Sequence, residues 1–384
     1  MRAPLYFDYA ATTPVDERVA ALMSECLTRA GTFGNASSVH YYGQRARERV
    51  EHARAELAAL LHCRSSELVW TSGATESNNL AVLGTMRAAG KGGRHLITSR
   101  LEHKSVLDAA KRLEQEGCAV TYLRPDRDGI IAPEAVAAAL RQDTVLVSLM
   151  HANNEIGVLQ DIAAIAAVCH ERGVALHVDA AQSVGKIEVD VGVLGVDLLS
   201  FTAHKLYGPK GIGALYATPR QRVSLQPLLF GGGQERGLRP GTLPVHQIVG
   251  FGGACALVRT ELSSEGSRIE QLRRRLWRGL SSVEDVRLNG DPERRVPGIL
   301  NVSFGGIEGE SLLTALEELA LSTGSACNSE TEEPSHVLSA LGLSSELAQS
   351  SLRFSLGRYS SEADVDIAIA AVRREVQRLR VIAP

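Results

Sequence analysis

The chain reads as an α/β protein: a large unit on a mostly parallel sheet, followed by a smaller α+β unit. Three observations predict this. Apolar runs of strand type alternate with segments of helical period from about residue 16 to about residue 260. Past residue 260 the alternation gives way to a mixture of helices and short strands. The length, 384 residues, gives volume for more than one core. The expected division is 16–260 for the large domain, with 1–15 and 261–384 forming the small one.

Arg45 to His62 sets Ala46, Val50, Ala53, Leu57 and Leu60 on one helical face. Strands are predicted at Leu68 to Thr71, His95 to Thr98, Val120 to Leu123 and Thr144 to Met150. Others follow at Val174 to Val178, Val196 to Phe201 and Gly213 to Tyr216. Helical spacing returns at Ile269 to Leu280, and short strands at Leu300 to Phe304 and Ser351 to Ser355. Ser361 and Asp364 form a capping box before a last helix with Val365, Ile369, Val372, Val376 and Leu379 on one face. Ligands of such sheets bind beyond the carboxyl ends of the strands, so the chemistry is sought there.

Composition narrows the classes. Apolar residues make up 44% and charged ones 22%, with a formal net charge of -3 and no basic block. Nothing points to direct nucleic-acid binding or an anionic membrane. No apolar stretch is long enough to span a bilayer, and Met1 to Phe7 lacks the pattern of a signal peptide, so a cytoplasmic protein is the default expectation. Six cysteines are scattered without a C-x-x-C pair, which suits reduced thiols. Five sit in or beside helical stretches and read as small buried apolar residues; Cys327 does not.

Two groups stand at strand ends. Asp179 closes one apolar run, and Lys205 follows another in Ser-Phe-Thr-Ala-His-Lys-Leu-Tyr-Gly. Pyridoxal 5'-phosphate needs such a pair: an amine for a Schiff base with its aldehyde, and a carboxylate to keep its ring nitrogen protonated. Gln182, three residues past Asp179, strengthens that reading over a capping aspartate. Thr71-Ser72-Gly73-Ala74-Thr75-Glu76 follows a strand and opens a helix, which makes either a phosphate cradle or a plain N-cap. Thr202 and His204 flank Lys205 as further phosphate donors. His103 suits stacking on a flat ring and moving protons, and Asn154 suits donation to a ring oxygen. Gly231 to Thr242, with two arginines, is an anion cradle or a flexible connection. Arg353, mid-strand, needs an anion: a substrate carboxylate or an internal ion pair. Small and polar residues surround Cys327, so its thiol is expected to be exposed and used. Glu330, Glu332 and Glu333 do not favour a thiolate, so its activation is assigned to acid/base groups or the substrate nearby.

Together these segments resemble the cysteine desulfurases of the NifS/IscS type, group I of the class V, fold-type-I pyridoxal-phosphate enzymes. The resemblance runs from Tyr6-Phe7-Asp8-Tyr9 to Arg353-Phe354-Ser355-Leu356-Gly357-Arg358. It rests on Thr-Ser-Gly-Ala-Thr-Glu-Ser-Asn-Asn, His-Ala-Asn-Asn-Glu-Ile-Gly, His-Lys-Leu-Tyr-Gly-Pro-Lys-Gly and Gly-Ser-Ala-Cys. It implies that Lys205 holds the cofactor; that Ala74, Thr75, Thr202 and His204 bind its phosphate; and that Thr242 adds a contact from the second subunit of a homodimer. It implies Asp179 on the ring nitrogen, Gln182 on the ring oxygen and His103 as acid/base. Asn35, Asn154 and Arg353 hold the carboxylate of L-cysteine, and Cys327, in a mobile loop at about 322–334, takes the sulfur as a persulfide while alanine leaves. An acceptor protein then receives the sulfur for iron–sulfur assembly or thio-modification of tRNA or DNA.

This chain has Ala36, Pro240 and Asn328 where the family commonly has Pro, Ser and Thr or Ser. It also ends without the scaffold-docking tail of housekeeping members, which favours a specialised acceptor. The rival readings are a selenocysteine lyase or other C–S lyase, an aminotransferase of the same fold, and a structural partner in an assembly. The first two do not need Cys327, and the third does not need the assembled side chains.

Overall fold

Paired neighbours along the strands point to opposite faces, and this places the core. In a computed structural model that describes residues 3–90, 94–219, 223–323 and 334–382, seven strands form one sheet. They are β1 (Leu68–Thr71), β2 (His95–Ser99), β3 (Ala119–Leu123), β4 (Thr144–Met150), β5 (Ala175–Asp179), β6 (Leu198–Thr202) and β7 (Gly213–Ala217). Leu96, Leu146 and Leu198 enter one apolar cluster, while their neighbours Ile97, Val147 and Leu199 enter another. Both faces are therefore covered, as the near-continuous apolar runs require.

The order is β1-β7-β6-β5-β4-β2-β3. All pairs are parallel except the two made by β7, which runs antiparallel between β1 and β6. The sheet is thus mostly parallel, as expected, with one reversed strand. Thr71, Ser99, Met150, Asp179 and Thr202 end their strands on the same edge; Met150 pairs with Asp179, and Asp179 with Ser200.

Helix α1 (Tyr41–Leu61) buries Ala46, Val50, Ala53, Leu57 and Leu60, as its period predicts. Helices α2 (Ala74–Ala88) and α3 (Lys104–Gln115) pack on the opposite face. The helical pattern read from Ile269 is the second half of α4 (Val245–Leu280), 36 residues long. Its first half, with Ile248, Phe251 and Cys255, packs in the sheet core. Its second half, with Leu272, Leu276 and Leu280, packs in a separate core with Leu300, Val302, Leu352, Phe354 and Phe7. Close approach of α4 to α1 needs Gly252: a Cβ there would lie 2.6 Å from the Ala53 Cα.

The second core is backed by an antiparallel sheet of β8 (Val286–Leu288), β9 (Ile299–Phe304) and β10 (Ser351–Ser355), and by α5 (Glu362–Ile382). The capping box is formed: the Ser361 N–H donates to Asp364 at 2.9 Å, and the Asp364 N–H donates to Ser361 Oγ at 3.2 Å. Residues 5–8 reach this core, where the Ser355 N–H donates to the Phe7 carbonyl at 2.7 Å.

Candidate active site

The shared strand edge opens into a cleft of about 750 Å³. Each wall is set by a local feature of the chain. Helix α2 starts directly after β1, so Ala74 and Thr75 stand at the edge. His103 caps α3, which starts soon after β2. Asn154 follows β4, Asp179 ends β5, and Thr202 ends β6, with His204 and Lys205 in the tight turn that follows. Arg353, on β10, reaches the same cleft from the second core. The cleft therefore gathers Ala74, Thr75, His103, Asn154, Asp179, Gln182, Thr202, His204, Lys205 and Arg353.

Asp179 is buried and oriented. Its Oδ2 accepts from Asn78 Nδ2 at 2.7 Å and its Oδ1 from the Ala181 N–H at 2.9 Å. Gln182 Nε2 donates to the Ala10 carbonyl at 2.8 Å, and Gln182 Oε1 accepts from Lys186 Nζ. That fixes which end of the amide is which. Burial, with Lys205, Lys210 and Lys186 nearby, pushes the His204 imidazole down to about 4. His204 is thus a neutral hydrogen-bonding ring at physiological pH, joined to Thr12 Oγ1 at 3.2 Å.

The internal ion pair expected of Arg353 is formed. Arg353 lines the cleft, and one guanidinium nitrogen donates to Asp8 at 2.8 Å while another donates to the Asn154 carbonyl at 2.9 Å. Its Nε is buried without a partner among the described residues. Glu155, behind Asn154, is pushed up to about 7 by burial, against the pull of its Ser335 hydrogen bond and of Arg353.

The donor set fits pyridoxal 5'-phosphate. The N-cap of α2 is Gly73, which makes no side-chain cap, so this helix start presents backbone to an anion. A Cβ on Gly213 would lie 2.6 Å from the Gly73 Cα, so the strand beneath must be bare there. An amine (Lys205), a fixed carboxylate (Asp179) and hydroxyl and imidazole donors (Thr202, His204) complete the set. No cluster of metal-ligating side chains exists among the described residues.

Three expected residues stand apart. Asn35 is exposed outside the cleft, its Oδ1 accepting the Ser37 N–H at 2.9 Å. Thr242 is exposed at the end of the glycine-rich segment. Cys327 lies outside the described residues. The glycine-rich segment itself is anchored. Glu235 is buried against Arg54 by two hydrogen bonds of 2.7 and 2.8 Å, Arg239 donates to Glu76 at 2.9 Å, and Arg236 donates to the Leu68 carbonyl at 3.1 Å. Both of its arginines are spent on the protein's own acceptors.

Sequence reading missed Asn78, Ser105, Glu155, Lys186 and His336 in or against the cleft. For one the signal was helical spacing: Asn78 lies three residues past Thr75 on α2. His336, whose Nε2 lies 3.0 Å from the Glu102 carbonyl, gave no local signal.

The chain matches the family model for class-V aminotransferases over residues 5–367. It is 55% identical over 385 aligned positions to the cysteine desulfurase IscS of Pectobacterium atrosepticum, covering 100% of this chain and 95% of that protein. A solved NifS-like protein superposes with a TM-score of 0.91 at 36% identity, covering 98% of this chain and 100% of its own. SspA, solved in complex with cysteine, superposes with a TM-score of 0.83 at 38% identity, covering 93% and 100%. The chain belongs to the aminotransferase class-V family, among its cysteine desulfurases of the NifS/IscS type.

Proposed function

We propose that this chain is a pyridoxal-phosphate-dependent cysteine desulfurase, converting L-cysteine to L-alanine and passing the sulfur on through Cys327. The observation that carries the reading is the convergence of Lys205, Asp179 and Arg353 on one cleft in a chain 55% identical to IscS over its whole length. The cofactor supplies an electron sink for the carbanion formed when the substrate loses its α proton.

The chain's own residues do the rest. Lys205 would hold the cofactor by its amine. Ala74, Thr75, Thr202 and His204 bind the phosphate. Asp179 keeps a proton on the ring nitrogen, and Gln182 donates to the ring oxygen with the amide hydrogen not used by Ala10. His103 moves protons at the substrate. Arg353 and Asn154 bind the carboxylate and so orient the thiol.

Cys327 is the nucleophile. Cys26, Cys63, Cys118 and Cys255 are pushed up by burial, Cys63 to about 12, and no described cysteine lines the cleft. The active form is a homodimer in which Thr242 completes the phosphate site of the other subunit. Exposed Phe33, Tyr41, Tyr42, Leu229 and Phe230 are the apolar surface available for that contact. A sulfur-acceptor protein then collects the persulfide.

The test is alanine and sulfide release from L-cysteine by the holoenzyme beside a Cys327→Ala variant. Alanine formation that disappears in the variant is the expected result. Alanine formation that persists there would replace the desulfurase reading with a C–S lyase.

A further inference from the structure

We propose that His103 is held as the neutral imidazole with its proton on Nε2, and that Asn78 and Ser105 are the positioning residues that hold it so. The inference rests on the reading of His103 as the cleft's proton-transferring group, and it says which protonation state that group brings to the substrate.

The argument follows donors outward from Asp179. Asn78 Nδ2 lies 2.7 Å from Asp179 Oδ2. Against a carboxylate an amide must present its nitrogen, because its oxygen would be repelled. The second hydrogen of that nitrogen goes to Ser105 Oγ at 2.9 Å. With Ser105 Oγ accepting there, its single proton is directed to His103 Nδ1, 2.8 Å away. His103 is also the N-cap of α3, and its Nδ1 accepts the Ser105 backbone N–H at 3.1 Å. Two donors converge on Nδ1, so that nitrogen keeps its lone pair. In the neutral ring the proton then sits on Nε2.

The surroundings support a neutral ring. Burial lowers the proton affinity of His103, and Lys205 and His336 lower it further; Asp179 and Asp108 pull the other way. The positive end of α3 also opposes an imidazolium. Making that cation would put a proton on Nδ1, which turns the Ser105 hydroxyl around and breaks the backbone bond. His103 therefore meets the substrate as an N–H donor first, and can act as a base only after Nε2 has given up its proton. Because the same Asn78 nitrogen binds both Asp179 and Ser105, the carboxylate and the imidazole are set in one frame.

The experiment is a nitrogen-15 NMR titration of the histidine-labelled holoenzyme, with the His103 ring identified by a His103→Gln sample. The expected wild-type ring is the neutral Nε2–H tautomer through about pH 6 to 8, around the ordinary histidine midpoint. Ser105→Ala keeps the backbone donor but loses the hydroxyl. It should let the other tautomer appear and raise the ring's midpoint by about one pH unit, the worth of one hydrogen bond. Ser105→Thr keeps the hydroxyl and should restore the wild-type spectrum. Unchanged visible absorption of the bound cofactor in Ser105→Ala shows that its site is intact. A protonated Nδ1 in the wild-type holoenzyme, or an unmoved ring in Ser105→Ala, would overturn the proposal. The ring signal is read whether or not L-cysteine is converted, so failure of the desulfurase reading is seen separately, as missing alanine.

Discussion

At the sheet-edge end of the cleft both Asp179 oxygens accept from assigned donors, whereas at the other end Arg353 keeps a buried Nε without a partner among the described residues. Asp179, Asn78, Ser105 and His103 all stand on elements of one core. Arg353 belongs to the second core and finds Asp8, 345 residues away in sequence. One end is arranged to keep a charge where it is. The other holds a cation with an internal carboxylate, which on the proposed function a substrate carboxylate would displace. Under the proposed function the first end would govern the chemical step and the second would govern binding, and kinetics can separate them.

The largest effect is expected at the fixed end. On the proposed function, Asp179→Asn removes the charge that would stabilise the protonated ring, and kcat should fall by about 10²–10³-fold, the usual cost of losing one preorganised electrostatic partner. KM should change little. A KM effect as large as the kcat effect would break the comparison. Next comes Arg353→Ala, which should raise KM for L-cysteine by about 30- to 100-fold with a smaller change in kcat, since a hydrogen-bonded charge pair is worth roughly 2–3 kcal/mol. Steady-state assays of alanine release check both.

Asp8→Asn sharpens the same point with the opposite sign. If Asp8 occupies Arg353 in competition with substrate, its neutral isostere should lower KM by about five-fold, near 1 kcal/mol. A higher KM would mean that Asp8 aims the guanidinium instead of competing for it. Stability should fall in the same variant, because the buried guanidinium loses the one carboxylate that pairs with it among the described residues.

The two ends also differed in how far the sequence disclosed them. The fixed end sits where apolar runs stop, so Asp179, Thr202 and Lys205 could be placed from strand signals alone. The Asn78 and Ser105 contacts were hidden because they join two helices that only the sheet brings together. The reversed strand β7 was hidden too: its apolar run has no mark of direction. Strand β6 starts at Leu198 and not Val196, because Asp197 turns inward to accept the Leu176 N–H at 3.0 Å. Helix α4 was read only from Ile269 because Glu261 and Glu265 interrupt its apolar face. Those two carboxylates belong to an ion-pair network that no local pattern signals, since its other members, Asp16, Arg18 and Arg358, come from distant parts of the chain.

That network gives the smallest effect and bears on whether the two ends stay in register. Asp16 accepts from Arg18 at 2.9 Å and from Arg358 at 2.6 Å; Arg358 also reaches Glu265 and lies 4.2 Å over the Tyr207 ring, two residues past Lys205. The Arg18 hydrogen bonds first, then Arg358, hold the Asp16 carboxyl well below the usual range, against the opposing effect of burial. A depressed folded-state pKa adds stability above the unfolded-state value, about 3.9, and that stability is lost as pH falls through the folded value. Asp16 also caps the helix Glu17–Ser24, and asparagine caps as well as aspartate, so Asp16→Asn removes the charge while keeping the cap. The variant should melt about 1–2 °C below wild type at neutral pH, for roughly 1 kcal/mol, and the two curves should begin to converge only below about pH 4, closing as pH falls toward the depressed folded-state value. A gap that persists in acid would assign the loss to packing and not to charge. If the neutral-pH variant also shows a raised KM with kcat unchanged, the network reaches Arg353 and the two ends are mechanically joined. If neither constant moves, each end keeps its geometry by its own contacts, and the division of labour drawn above is set within each core.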